Sequence, residues 1–266
     1  MRSSFIYHPA GTPFTRPEDA LQYYRQKLLS NPQRLSTPEG KLELYQHMCQ
    51  ITPEHIVRKY FHEMYPSPIH YFSFKKQFAT QMAVHSIVGN VLGVGNRTPN
   101  NICVSRTTGA MWQHKFYPEY NEDGTLRLTE SVPFRLTRNI QNYLNPMTIE
   151  GVMSGAMTGV ALCLTHYKDQ LRHHLAVFVR DDAIAWQGPE HEAAILKDKN
   201  DWKKKLQHIM DNNCNAVLEN IKNLIPPQHD KHMFTTPLNK RVTELIQAAQ
   251  TDTALAQMDP TWYPWF

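Results

Sequence analysis

Apolar residues recur every three to four positions along most of this 266-residue chain, and a long segment rich in Gly, Asn and Pro interrupts the pattern near its middle. This spacing predicts amphipathic helices on both sides of residues 92–137. The sequence therefore favours an α+β fold that is mostly α-helical. The predicted helices cover residues 18–29, 40–51, 53–65, 72–91, 138–144, 148–166, 168–181, 201–224 and 237–249, with a last turn at 253–258.

The interrupting segment is predicted to contain a small sheet and several turns. Residues 102–104 and 110–112 are short β candidates on either side of a Thr-Gly turn. Residues 121–124 form a further predicted turn, and residues 186–200 are polar enough to be a surface linker.

Four motifs follow one another in this central segment. It reads LGVGNRTPNN over residues 92–101, SRTTG over 105–109, HKF over 114–116 and PFRLT over 133–137. Together they resemble the catalytic and activation segments of the phosphatidylinositol-3-kinase-related protein kinases, whose active members carry LGLGDRHPSN, HIDFG and PFRLT. The resemblance implies a protein-kinase-like C-lobe of the phosphatidylinositol 3- and 4-kinase type.

Four positions depart from the pattern of the active members. Asn96 stands where they carry the catalytic Asp, Lys115 where they carry the metal-binding Asp, Thr98 replaces a His, and Tyr117 replaces a Gly. An amide is too weakly basic to act as a general base near neutral pH. An ammonium group repels magnesium, which prefers anionic oxygen ligands. We therefore expect no enzymatic activity, no cofactor and no metal ion.

Three residues match the family motif, namely Arg97, Asn101 and Phe116. One remaining Asn cannot hold magnesium alone. We expect Arg97 and Asn101 to bond backbone groups in their turn. We expect Lys115 to pair with a nearby acid and hold its loop in place.

The last residues, 233–266, resemble the short FATC segment that closes members of this kinase family. The ending MDPTWYPWF at 258–266 is most similar to the pseudokinase branch of the family, and the loss of both acids points to the same branch. That branch implies a non-catalytic scaffold subunit of nuclear histone acetyltransferase coactivator complexes of the SAGA type. Its partners would be other subunits of those complexes and transcriptional activators, the activators mainly through parts outside this chain. We expect Trp262, Trp265 and Phe266 to pack onto the C-lobe.

The expected domains are a kinase-like C-lobe at 1–228 and the FATC segment at 233–266. No Gly-rich loop or strand Lys of a kinase N-lobe precedes residue 90, so we expect a fragment of a larger protein. Two alternatives stay open. One is an active kinase of this family with a displaced carboxylate, for which Glu119, Glu122 and Asp123 are nearest in sequence. The other is an incomplete chain that does not fold alone.

Composition argues against several other classes. The net charge is +4 and no stripe of Lys and Arg alternates with aromatic residues, so we expect no direct contact with nucleic acid. The four cysteines form no C-x-x-C pair, which fits free thiols in a reducing compartment. We expect no signal peptide and no membrane-spanning helix. The G-x-x-x-G-x-x-x-G at 151–159 is expected to allow close packing of a buried helix.

Overall fold

The computed structural model describes residues 17–35, 37–121, 124–127, 130–145, 148–186, 199–224 and 235–266. Most of the predicted linker at 186–200 and the boundary between the two expected domains lie outside these residues. The division into domains at 1–228 and 233–266 stays a prediction.

Five helices lead to the central segment: α1 (Pro17–Ser30), α2 (Pro32–Leu35), α3 (Pro38–Ile51), α4 (Ile56–Met64) and α5 (Pro68–Leu92). Thr37 caps α3, because its Oγ1 accepts a hydrogen bond of 3.1 Å from the Gly40 N–H. Pro68 occupies the first turn of α5, where its missing N–H has no intrahelical partner to lose. The same proline cluster that ends α4 therefore begins α5, four residues earlier than predicted.

The centre and second half of the chain follow the predicted order. Strands β1 (Ile102–Val104) and β2 (Met111–Gln113) form an antiparallel pair with Cys103 opposite Trp112. The remaining elements are α6 (Arg138–Leu144), a π-helical turn (Thr148–Met153), α7 (Ser154–His166), α8 (Lys168–Trp186), α9 (Lys199–Lys222), α10 (Thr235–Gln250) and α11 (Asp252–Leu255). This arrangement confirms the predicted α+β, mostly helical, kinase-like C-lobe fold.

Two hydrophobic clusters lie within the part of the chain that the structure describes. The larger one surrounds α5, whose Phe78 and Ile87 are buried against side chains from α6, α7, α9 and α10. The second cluster joins α1 and α3 to the C-terminal tail. In it the rings of Tyr24 and Trp265 stack with centroids 4.9 Å apart, and Trp265 is fully buried. The expected packing of the aromatic tail is thereby confirmed.

The glycines of α7 and its preceding turn do not pack as predicted. Gly151, Gly155 and Gly159 are exposed, and a Cβ at any of them would meet no atom within 4 Å. The buried side of this helix is formed instead by Met153, Met157 and other residues that face the larger cluster. The expectation of close packing at the glycines was wrong, because periodicity alone does not say which side of an apolar helix is covered.

The same helix also bears on the membrane question. Residues Thr148–His166 span 19 residues with a mean hydropathy of 1.3, which by length and composition is enough to cross a membrane. The sequence interpretation had not foreseen this. Of this window 28% is buried, and the buried residues, among them Met153 and Met157, face the larger cluster.

Candidate functional site

The central loop is set by a left-handed turn at the end of α5. Gly93 has φ +66°, and the N–H of Val94 donates a 2.9 Å hydrogen bond to Gly89 O. Asn96 and Lys115 also take positive φ values, 54° and 59°. Asn tolerates this conformation because its short polar side chain bonds locally, whereas Lys has no such advantage. The two positions that differ most in chemistry from the family motif therefore share an unusual backbone geometry.

Asn96 is bonded to the retained Asn101. The Asn101 Nδ2 donates to the backbone oxygen of Asn96 at 2.9 Å and to its Oδ1 at 2.8 Å. Asn101 is buried at the start of β1, in the 3₁₀ turn Pro99–Asn101. The amide oxygen of Asn96 is thus already an acceptor within the loop. Asn101 bonds backbone as expected.

Arg97 fastens the loop to the segment that precedes PFRLT. Its Nε donates to Glu130 Oε2 at 2.8 Å, and its Nη2 contacts the same carboxylate. It also donates to the backbone oxygens of Val132, at 3.1 Å, and Pro133. The Arg97 side chain is only 9% exposed, so this ion pair is largely removed from water. Arg97 therefore acts as a structural tie, in line with the expectation that it bonds backbone.

The remaining motif residues lie around the end of β2. Lys115 is exposed and forms no ion pair with any residue that the structure describes, so the expected local acid is not found there. Tyr117 is exposed, and Phe116 is half-buried with its ring edge-on to His85 at 6.2 Å. Thr98 precedes the 3₁₀ turn and makes no capping bond.

One candidate carboxylate does lie against the loop. A Cβ at Gly95 would come within 2.5 Å of Glu119 Oε1, so this carboxylate covers the backbone of the residue next to Asn96. A larger residue at that position would therefore displace the Glu119 side chain. Glu119, Glu130, Arg97 and Arg127 line a small cavity of about 50 Å³ here. The other two carboxylates, Glu122 and Asp123, lie outside the described residues.

The donor set does not fit magnesium. The cation requires hard oxygen ligands in near-octahedral geometry. At the two motif positions the chain offers an ammonium group, Lys115, and an amide, Asn101, whose nitrogen is turned towards Asn96. Within the part of the chain that the structure describes, no three His, Cys, Asp or Glu residues form a group that could hold a metal ion.

Arg135, from the PFRLT motif, connects the loop to the C-terminal tail. It is buried, its Nη1 donates to Trp262 O, and its guanidinium lies 4.4 Å from the centroid of the Trp262 ring. Burial lowers the pKa of Arg135 to about 9, although the Glu130 charge opposes the shift. Sequence reasoning missed this contact and the Arg97–Glu130 pair, because neither has a local signal in the sequence.

Comparisons with known proteins agree with this architecture. The family model "Phosphatidylinositol 3- and 4-kinase" matches residues 19–188. The chain is 25% identical, over 90% of its length, to the SAGA complex/NuA4 acetyltransferase complex subunit Tra1 of Schizosaccharomyces pombe. It is 26% identical, over 81% of its length, to the mouse transformation/transcription domain-associated protein. It is also 27% identical, over 95% of its length, to the protein kinase rad3 of S. pombe.

A solved structure shares the fold. The FAT and kinase domain of CtTel1 superimposes with a TM-score of 0.65 over 94% of this chain, at 19% identity, and the match covers 16% of that structure's chain. The chain spans 6% to 10% of the length of the three curated relatives.

Proposed function

Because the chain belongs to the phosphatidylinositol 3- and 4-kinase family, we propose that it is a pseudokinase portion of a scaffold subunit. The proposed scaffold belongs to nuclear SAGA-type histone acetyltransferase complexes and recruits them to transcriptional activators. In this role the kinase-like fold serves as a docking body for other subunits, and no phosphoryl transfer takes place.

The observation that carries this proposal is the chemistry of positions 96 and 115. Phosphoryl transfer needs an acceptor for the proton of the attacking hydroxyl and an anionic set for magnesium. Asn96 has an amide that is already bonded to Asn101, and Lys115 has the wrong charge. The resemblance to Tra1 and to the transformation/transcription domain-associated protein supports the same branch.

A second candidate is an active kinase, supported by the similarity to rad3 and by Glu119. The Glu119 carboxylate covers Gly95, next to the loop position that would face the substrate. For this candidate Glu119 would replace the missing acceptor carboxylate. Its weakness is Lys115, which leaves the magnesium without an anionic ligand at the corresponding position.

Thermal shift with ATP and magnesium, measured on the protein with a kinase N-lobe restored, separates the two candidates. The proposal expects no magnesium-dependent rise in melting temperature at millimolar ATP. The matched control is the double variant Asn96→Asp with Lys115→Asp, which restores both acids on the same backbone. If the loop geometry is kept, only the double variant should show a magnesium-dependent shift. A magnesium-dependent shift in the unaltered chain, lost in Glu119→Gln, would establish the kinase candidate instead.

The scaffold role has its own measurement. The tagged chain, expressed in cells of its source, should co-purify with acetyltransferase subunits, and the yield should be unchanged by Asn96→Ala. Loss of phosphotransfer activity from the purified complex in Asn96→Ala would contradict a non-catalytic role.

A further inference from the structure

An apolar cavity lies between α4, α5, the small sheet and the C-terminal tail. Its volume is about 210 Å³, larger than an apolar cavity of about 150 Å³ that holds benzene. Its walls include Val57 and Phe61 from α4, Met82 from α5, Ile140 from α6, and Tyr263 and Phe266 from the tail. A pocket of this character, with few polar groups, is typical of a small-molecule site.

The buried cation at this cavity is Arg135. Among the residues that the structure describes, its hydrogen bonds go to the backbone oxygens of Trp262 and Arg97, and its guanidinium also lies over the Trp262 ring. The nearby Glu130 carboxylate is bound by Arg97. Arg135 is therefore a buried guanidinium with neutral hydrogen-bond partners, and a buried charge is stable only when an opposite charge or many hydrogen bonds compensate it.

We propose that this cavity binds a small amphipathic carboxylate, with one aromatic ring among the apolar walls and the carboxylate on the Arg135 guanidinium. Arginine matches a carboxylate in shape, because two of its N–H groups can donate to the two oxygens together. The one acid in the described lining of the cavity, Glu18, is exposed. The Glu18 carboxylate repels an anionic group, whereas the buried Arg135 guanidinium attracts it. This site is independent of the kinase-like loop chemistry.

The first test uses the 266-residue chain and two probes of nearly equal shape, 3-phenylpropanoate and 3-phenylpropanamide. Ligand-observed NMR titration gives the dissociation constant of each. We expect the acid to bind at least tenfold more tightly than the amide. Equal affinities of the acid and the amide would overturn the proposal. So would the absence of acid binding up to about 5 mM, which is on the order of the weakest affinity that this titration resolves.

Variants locate the binding. Val57→Phe fills the cavity from α4 and should abolish binding, whereas Val177→Phe, at an exposed position of α8, should leave it unchanged. Arg135→Gln should remove the preference for the acid. If Arg135→Gln fails to fold, the acid–amide comparison in the unaltered chain and the Val57→Phe result still decide. Binding that survives Val57→Phe would place the ligand elsewhere and refute the assignment.

Discussion

The backbone at Lys115 makes a quantitative prediction about stability. Its φ of 59° places an exposed Lys in the left-handed region, which costs a residue with a Cβ roughly 1–2 kcal/mol. Glycine avoids this cost, but it lowers the stability of the folded chain by about 0.4–1 kcal/mol because the unfolded chain becomes more flexible. Lys115→Gly should therefore raise the free energy of unfolding by about 0.5–1 kcal/mol.

A matched variant separates the backbone from the side chain. Lys115→Ala keeps the Cβ and its strain while removing the charge, so the free energy of unfolding should change by less than about 0.5 kcal/mol. Arg106→Gly, at an exposed residue of the turn that joins β1 and β2 and without a positive φ, should lower it. The comparison of Gly with Ala at position 115 thus isolates the conformational cost.

Urea unfolding followed by tryptophan fluorescence measures the effect, since the chain has five Trp residues. The midpoint should rise from Lys115→Ala to Lys115→Gly with an unchanged slope, which indicates a change in stability alone. A thermal melt should shift upward by about 2–4 °C per kcal/mol for a chain of this size. If Lys115→Gly is no more stable than Lys115→Ala, position 115 carries no strain and the reasoning fails.

Three further changes test other parts of the structure. Arg97→Met leaves the largely buried Glu130 carboxylate without its partner and should lower the free energy of unfolding, measured by urea titration, by about 3–5 kcal/mol. A loss below about 1 kcal/mol would show that water solvates the pair. Trp265→Ala removes a fully buried ring and should cost about 3–5 kcal/mol, seen as a lower melting temperature, and an unchanged melt would contradict tail packing. Gly155→Ala should stabilise the chain by about 0.5–1 kcal/mol because the position is exposed and helical. A large fall in melting temperature would instead support the prediction of close packing at this glycine.

The helices and strands whose signals lie in neighbouring residues could be predicted from the sequence. Residues 138–144 were predicted as a helix and are α6, and 102–104 were predicted as a strand and are β1. The second strand was placed one residue early, because a short apolar run does not reveal its register. In the observed strand the Trp112 side chain is exposed, and the neighbouring Gln113 is buried and donates to Gly95 O at 3.1 Å.

The tertiary contacts of the site could not be predicted in this way. Glu130 pairs with Arg97 and Trp262 contacts Arg135 across long stretches of chain, and no periodicity links such positions. The motif alone could not distinguish a catalytic remnant from a structural tie at Arg97. Its bonds to Glu130 and to the backbone near PFRLT show which surfaces it joins. The prediction of close packing at the glycines of α7 was wrong for a related reason. Neighbouring elements, and not the spacing of residues in the sequence, decide which side of a helix is buried.

The contact between Tyr24 and Trp265 also has a consequence for biosynthesis. A ribosome makes α1 and α3 before it adds the ring that covers them, and it adds about 5–20 residues per second. Until Trp265 has left the exit tunnel, Tyr24 and Tyr45 lack their cover and are open to chaperones. A stop codon before Trp265 would leave the same side chains exposed, so cells could recognise a truncated copy by its surface.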